Sequence, residues 1–280
     1  MSNKEYEAKC CMYDILVEVD RICKKNNIKY TLYGGTLIGA IRHDGFIPWD
    51  DDIDIAFLRD DYEKFLKCCE KDLNKEYHVV NAENEEDNPN LFHKIKIKNT
   101  IYVEDISKDS STNQEIFIDL FPIDNSPQNY FVAYIQNLKA SFYERVLAIK
   151  CKHNFSKNKN LVKRILNFLL LVFSSLYRKN SLIKKIKKLA VKYNNKETEY
   201  VFCAYAGIGF KERMKKECYS NYILHQFEND KFYILKGYDE YLKYAYGDYM
   251  ELPPIEERTS RHKVIEIDLG DYKIQNYIKE

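Results

Sequence analysis

No stretch of 18 consecutive apolar residues occurs in this 280-residue chain, so no segment reads as a conventional membrane-spanning helix. Prolines number six and glycines nine, too few for a low-complexity or collagen-like chain. No Cys-x-x-Cys occurs. The eight cysteines stand at 10, 11, 23, 68, 69, 151, 203 and 218, and two of the pairs are adjacent residues, a poor geometry for a zinc knuckle. They read as reduced, mostly buried thiols of a cytoplasmic protein, not as a disulfide framework. Met1–Lys9 is polar and charged and does not read as a secretory signal. What remains is 45% apolar and 31% charged, the balance of a soluble folded protein, with length for one large domain or two small ones.

Acidic residues are missing from Arg145 to Lys196, where fifteen Lys/Arg stand. That leaves 29 basic against 43 acidic residues elsewhere, so the net charge of +1 hides a basic segment suited to an anionic partner. The acidic remainder and the lack of a nucleic-acid-binding motif argue against nucleic acid.

Residues 5–26 predict a helix, with Ala8, Cys11, Met12, Ile15, Leu16, Val19, Ile22 and Cys23 at three- and four-residue spacing and a stop at Asn26-Asn27. Ile28, Tyr30 and Leu32 alternate as a short strand; Gly34-Gly35 breaks it, and Thr36–Arg42 can start a helical turn. Residues 52–57 read as a second strand and 60–75 as an amphipathic helix. Phe92–Val103 and Glu115–Leu120 are further strand candidates. After Pro127 the pattern turns helical, over about 128–149, 161–177 and 181–193; a strand near Lys231–Leu235 and a helix near Tyr238–Tyr246 follow. The expected class is α+β, with a core over 1–127, a basic helical segment over 128–196 and a C-terminal part over 197–280 that completes the site.

Two glycines after a strand permit positive φ and close backbone approach, and the helix start behind them offers N–H groups to a phosphate. A plain strand–turn–helix explains them equally well. The run Asp50-Asp51-Asp52-Ile53-Asp54-Ile55 says more. On a strand, Asp52 and Asp54 share one face while Ile53 and Ile55 point to the core. Adjacent carboxylates repel, and a bound Mg²⁺ removes that repulsion. The other reading is a solvated acidic loop. Two metals require a third carboxylate, and Asp119, flanked by apolar residues in Ile118-Asp119-Leu120, is the candidate; a structural salt bridge or cap is its alternative. Asp124, after Pro122, reads as a turn residue.

The run Gly34-Gly35-Thr36-Leu37-Ile38-Gly39-Ala40-Ile41-Arg42-His43-Asp44-Gly45-Phe46-Ile47-Pro48-Trp49-Asp50-Asp51-Asp52-Ile53-Asp54-Ile55 closely resembles the signature of the LicD phosphotransferase family, which fukutin-related proteins share. The resemblance continues through Ile118–Asp124 and returns at Tyr246–Met250, Pro253-Pro254, Arg258 and His262. It implies a nucleotidyltransferase-like mixed sheet with packed helices. It also implies Mg²⁺-dependent transfer, with two ions, of phosphocholine or a similar phospho-alcohol from a CDP donor to a sugar of a cell-surface glycan or its lipid-linked precursor. Carried over, Gly34 and Gly35 lie by the phosphates, and Asp52, Asp54 and Asp119 bind the metals.

Thr36, Arg42, Lys94 and Lys96 are further candidate substrate contacts, as are Arg258 and His262 in the late match. For the Lys94/Lys96 pair the alternative is an ordinary solvated strand face. Trp49, the one tryptophan, is either a loop anchor or a surface for a base or a choline. The apolar helix over 161–177, flanked by Lys163, Arg164, Arg178 and Lys179, is either buried or lies in a membrane interface, giving a peripheral contact through 145–196 at the inner face. Two rival functions stand beside the first: a true nucleotidyltransferase that attaches a nucleoside monophosphate to its acceptor, and a non-catalytic membrane-docked scaffold.

Overall fold

The computed structural model describes residues 2–105, 107–108, 110–151, 170–172, 174–205, 212–260 and 262–279. The helix expected over 161–177 lies mostly outside the described residues.

Helix α1 (Asn3–Asn26) begins with a reciprocal cap: the Ser2 hydroxyl accepts from Glu5 N–H, and the Glu5 carboxylate accepts from Ser2 N–H. It stops where Asn27 turns left-handed, at φ 49°. All eight of its periodic apolar residues are buried. α1 packs against the face of the main sheet and against α3.

The expected α+β class is what the chain forms. Its main sheet runs β1 (Thr31–Leu32), β2 (Asp54–Leu58), β6 (Phe117–Ser126), β4 (His93–Ile97), β3 (Tyr77–Val80), with β7 (Tyr200–Cys203) and β8 (Met214–Lys215) added along the far half of β6. Among the described residues only β2 and β6 pair in parallel. Helices α2 (Gly34–His43) and α3 (Arg59–Asp72) flank β2. Two further antiparallel ladders join β9 (Tyr222–Phe227) to β10 (Asp230–Leu235) as a hairpin, and β5 (Ile101–Glu104) to the distant β11 (Val264–Asp268). Helices α4 (Tyr130–Lys150) and α5 (Lys179–Ala190) pack on each other over a second core that includes Val146, Leu147, Leu182, Ile186 and Phe202. Helix α6 (Tyr238–Tyr246) follows β10.

β6 is longer than its sequence suggests. Strand character was expected to stop at Leu120, with Asp124 in a turn, yet β6 runs through Pro122 to Ser126 and every residue in it is buried. The proline is tolerated because of where its missing N–H would point. Asp119 N–H bonds Ile53 O on the β2 side, so alternation turns position 122 to the opposite edge. There β4 pairs only up to Leu120 and β7 begins only at Ile123. Asp124 is fully buried and takes both Arg59 nitrogens, Nε at 2.8 Å and Nη2 at 2.6 Å, plus the Asn194 amide at 2.6 Å. It is a structural anchor, and the turn reading is corrected. The single strand expected over Phe92–Val103 is likewise two, β4 and β5, separated at Asn99, whose φ is 62°.

Candidate active site

The cross-strand register builds the first row of the site. Asp54 stands opposite Asp119 in the parallel β2–β6 pair, and Lys94 stands opposite Asp119 in the antiparallel β4–β6 pair. Cross-strand partners project on one face of a sheet. β2 begins at Asp54, so Asp52 belongs to the entering loop and not to the strand; Ile53 and Ile55 are buried as the alternation requires. Asp119 is 9% exposed, and its Oδ1 lies 2.8 Å from Lys94 Nζ but off any hydrogen-bond direction, so this buried oxygen lacks a hydrogen bond. Lys94 also lies 3.4 Å from the centre of the Phe117 ring.

The glycine pair forms the second wall. Tyr33 N–H bonds Asp54 O at 2.9 Å and Asp54 N–H bonds Thr36 Oγ1 at 2.8 Å, which ties the start of α2 to the start of β2. Gly34 sits at φ 53°. A Cβ there would lie 3.3 Å from Asp54 Oδ2 and 3.4 Å from the Tyr246 hydroxyl; on Gly35 it would lie 2.7 Å from Asp50 Oδ2. The first turn of α2 carries no acidic side chain to compete for an anion.

The third wall comes from the far end of the chain. Asp51 accepts hydrogen bonds from His262 Nδ1 at 3.0 Å and from the Ser260 hydroxyl. His262 Nδ1 also lies 3.6 Å from Asp52 Oδ2 and 4.0 Å from Glu104 Oε1. Arg42 Nη1 donates to Tyr249 O at 2.7 Å and Glu251 O at 3.3 Å, which docks the 246–254 segment on α2. Together these walls enclose a cleft of about 780 Å³ lined by Gly34, Gly35, Arg42, Trp49, Asp52, Asp54, Asp119, Tyr246, Asp248 and His262, among others.

Electrostatics in the cleft are dominated by crowded acid. Burial, then repulsion from Asp50 and Asp119, pushes the Asp52 carboxyl up to about 7 despite His262. Burial with repulsion from Asp52 and Asp119 pushes Asp54 far above the usual range. Asp51 goes the other way: burial would raise it, but hydrogen bonds from His262 and Ser260 outweigh burial. The bond to Asp51, with Asp52 and Glu104 nearby, holds His262 up at about 9 although burial opposes it. Asp51, Asp52 and His262 offer ligand atoms within 4.8 Å of one another. His262 Nδ1, the nitrogen that faces Asp52, is engaged in the bond to Asp51. Asp52, Asp54 and Asp119 are an oxygen-only donor set with one unbonded buried oxygen and strong mutual repulsion, which fits a hard divalent cation.

The remaining expected residues take other places. Lys96 is 4% exposed and bonds Glu85 Oε1 at 2.8 Å and Asn113 O, away from the cleft. The solvated-face reading of Lys94 and Lys96 is therefore excluded, since both are held in ion pairs, Lys96 buried and Lys94 half-buried. Trp49 is half-buried, its ring 6.3 Å edge-on from His43 and 5.5 Å from the Arg258 guanidinium. It divides the cleft from a second cavity of about 400 Å³ that Arg258, Lys9 and Asp51 line. Arg258 is fixed by its bond to Pro253 O at 2.8 Å. Sequence reasoning did not single out Asp50, Asp51, Glu104, Glu212 or Tyr246 as site residues. The first two lay in the acidic run; Glu104 and Glu212 carried no local signal.

Residues 27–157 match the family model described as LicD/FKTN/FKRP, nucleotidyltransferase domain. The lipopolysaccharide cholinephosphotransferase LicD of Haemophilus influenzae is 32% identical over 253 residues, 89% of this chain and 92% of that protein. Two uncharacterized proteins of Rickettsia prowazekii and Rickettsia typhi are 46% identical over 50 residues, 18% of this chain and 19% and 16% of theirs. The glycine turn, the carboxylates set across β2 and β6, and a relative matched along most of both chains lead to one conclusion: this chain belongs to the LicD family.

Proposed function

We propose that this protein is a phosphotransferase that moves phosphocholine from a CDP-linked donor to a sugar hydroxyl of a surface glycan or its lipid-linked precursor. The observation that carries the reading is the register of Asp54 against Asp119 beside the Gly34-Gly35 turn, in a chain so similar to a lipopolysaccharide cholinephosphotransferase. The same arrangement supports a nucleotidyltransferase-like sheet.

In the reaction, the acceptor oxygen bonds to phosphorus, the bond from phosphorus to CMP oxygen breaks, and the hydroxyl proton passes to a base. Asp119, which lines the cleft with its Oδ1 beside the Lys94 ammonium, is the base or a metal ligand. Asp52, Asp54 and Asp119 would hold Mg²⁺, which supplies neutralisation of charge on the attacking and leaving oxygens. The Gly34-Gly35 turn lets phosphate oxygens approach the backbone, and the free N–H groups of α2 face them. Arg42 positions the 246–254 segment over the cleft through its two carbonyl bonds. Trp49, held between the edge of His43 and the Arg258 guanidinium, serves as the wall behind the donor.

A lipid-linked acceptor makes membrane contact useful. No helix among the described residues is long and apolar enough to cross a membrane. Exposed Tyr130 and Phe131 on α4, with the lysines of α5 close by, support a peripheral contact instead.

The test is incubation with CDP-choline and Mg²⁺, with and without glycan acceptor. CMP release that needs the divalent ion and phosphocholine on the acceptor are expected. A nucleotidylated acceptor with no phosphocholine transfer overturns the reading.

A further inference from the structure

Glu212 is 4% exposed and lines the cleft, yet its partners are tyrosines. Its Oε2 accepts from the Tyr33 hydroxyl; its Oε1 lies 3.4 Å from the Tyr241 hydroxyl and 3.5 Å from that of Tyr246. Among the described residues no Lys or Arg pairs with it. The neighbouring Arg213 turns away, to Ser126, Pro127 and Gln128. Burial pushes the Glu212 carboxyl up despite the three hydroxyls, the mark of an anion short of positive charge.

The rings around it form a continuous aromatic surface. Tyr33 stacks on Tyr241 at 5.6 Å and 10°, Tyr246 meets Tyr241 edge-on at 6.3 Å, and Phe121 tilts against Tyr33 at 5.7 Å. Tyr33, Phe121, Tyr246 and Glu212 line the same cleft as Asp54 and Asp119. The Tyr246 hydroxyl links the two regions: it contacts Glu212 and approaches the Gly34 backbone next to Asp54.

A carboxylate already accepting three hydroxyl bonds has little acceptor capacity left for N–H donors, and no cation among the described residues pairs its charge. The cation that suits it has no N–H groups, sheds water readily and presents methyl groups to aromatic faces. A primary ammonium, strongly hydrated and needing acceptors, suits it less.

We propose that Glu212, walled by Tyr33, Phe121 and Tyr246 with Tyr241 stacked behind Tyr33, is the headgroup subsite of the cleft and holds the quaternary ammonium of the transferred alcohol. The inference deepens the phosphocholine-transfer reading and rests on it. It makes Glu212 the residue that selects choline over neutral or N–H-bearing alcohols.

Glu212→Gln keeps the side chain's shape and an oxygen for the tyrosines. The measurement is the ratio of kcat/KM for CDP-choline to that for CDP-3,3-dimethylbutanol, in which carbon replaces the nitrogen. Wild-type protein prefers the charged donor, and the variant loses about tenfold of that preference. An unchanged ratio overturns the proposal, because a purely structural role lowers both donors alike. Calorimetric titration with choline chloride separates the two readings. Choline binding that Glu212→Gln abolishes upholds the subsite even if no CDP-choline is consumed, in which case the transfer reading alone has failed. Choline bound equally by both proteins, or by neither, overturns it.

Discussion

Asp54 and Asp119 are 65 positions apart in sequence and directly opposite in the β2–β6 register, the one parallel pairing in the main sheet among the described residues. Parallel strands need a long crossover, here supplied by α3, β3, β4 and β5. The cost of the arrangement is electrostatic: half-buried Asp54 and buried Asp119 share a face with Asp52 beside them.

That cost sets a pH dependence of stability. Asp52 titrates from an ordinary value of 3.8 up to about 7, and Asp54 is raised too, so the stability of their protonated forms is fully present below about pH 4 and is lost as pH rises through about 7. His262, raised from 6.5 to about 9, contributes stability present below its unfolded value and lost as pH rises through about 9. Metal-free protein is therefore expected to melt lower at about pH 8 than at about pH 5, with Mg²⁺ raising Tm more at the higher pH, where protons no longer compete for the oxygens. Asp54→Asn should raise the metal-free Tm at the higher pH, remove the Mg²⁺ response and abolish turnover. Thermal melts across pH, with and without the ion, check all three; a Mg²⁺ shift that survives in the variant refutes the assignment.

Gly34→Ala should lose more activity than stability. The left-handed conformation costs an alanine about 1–2 kcal/mol, and the new methyl presses on Asp54 Oδ2. Gly35→Ala presses on the end of the Asp50 side chain, which can rotate, so its effect should be smaller. Assays well below both melting temperatures compare the two; equal activities would detach the turn from the chemistry.

Asp124→Ala removes the fully buried partner of the half-buried Arg59 guanidinium, and breaking a buried pair costs about 3–5 kcal/mol. Urea unfolding should show this loss in full. A loss below about 1 kcal/mol would mean that water replaces the carboxylate readily.

Local patterns carried much of the fold because they act over a few residues. Three- and four-residue spacing marked α1, and the helix near Tyr238–Tyr246 was legible to its ends. Strands β3, β7, β9 and β11 escaped notice because such short strands carry no repeated alternation, β7 being almost wholly buried and β9 and β11 largely exposed, and β11 also sits across a bulge from β5. Asp124 was misread because a proline before an acid signals a turn only when no sheet edge has a gap to receive it.

The amino-acid order by itself determined that a glycine pair ends the first strand, that acids crowd the entrance to the second, and that Asp119 is set among apolar neighbours. Tertiary structure alone decided which polar groups meet: Lys94 with Asp119, His262 with Asp51 across 211 positions, Tyr33 with Glu212 across 179. Propensity and alternation are fixed by neighbouring residues, whereas these pairings depend on register and burial, which only the closed chain defines.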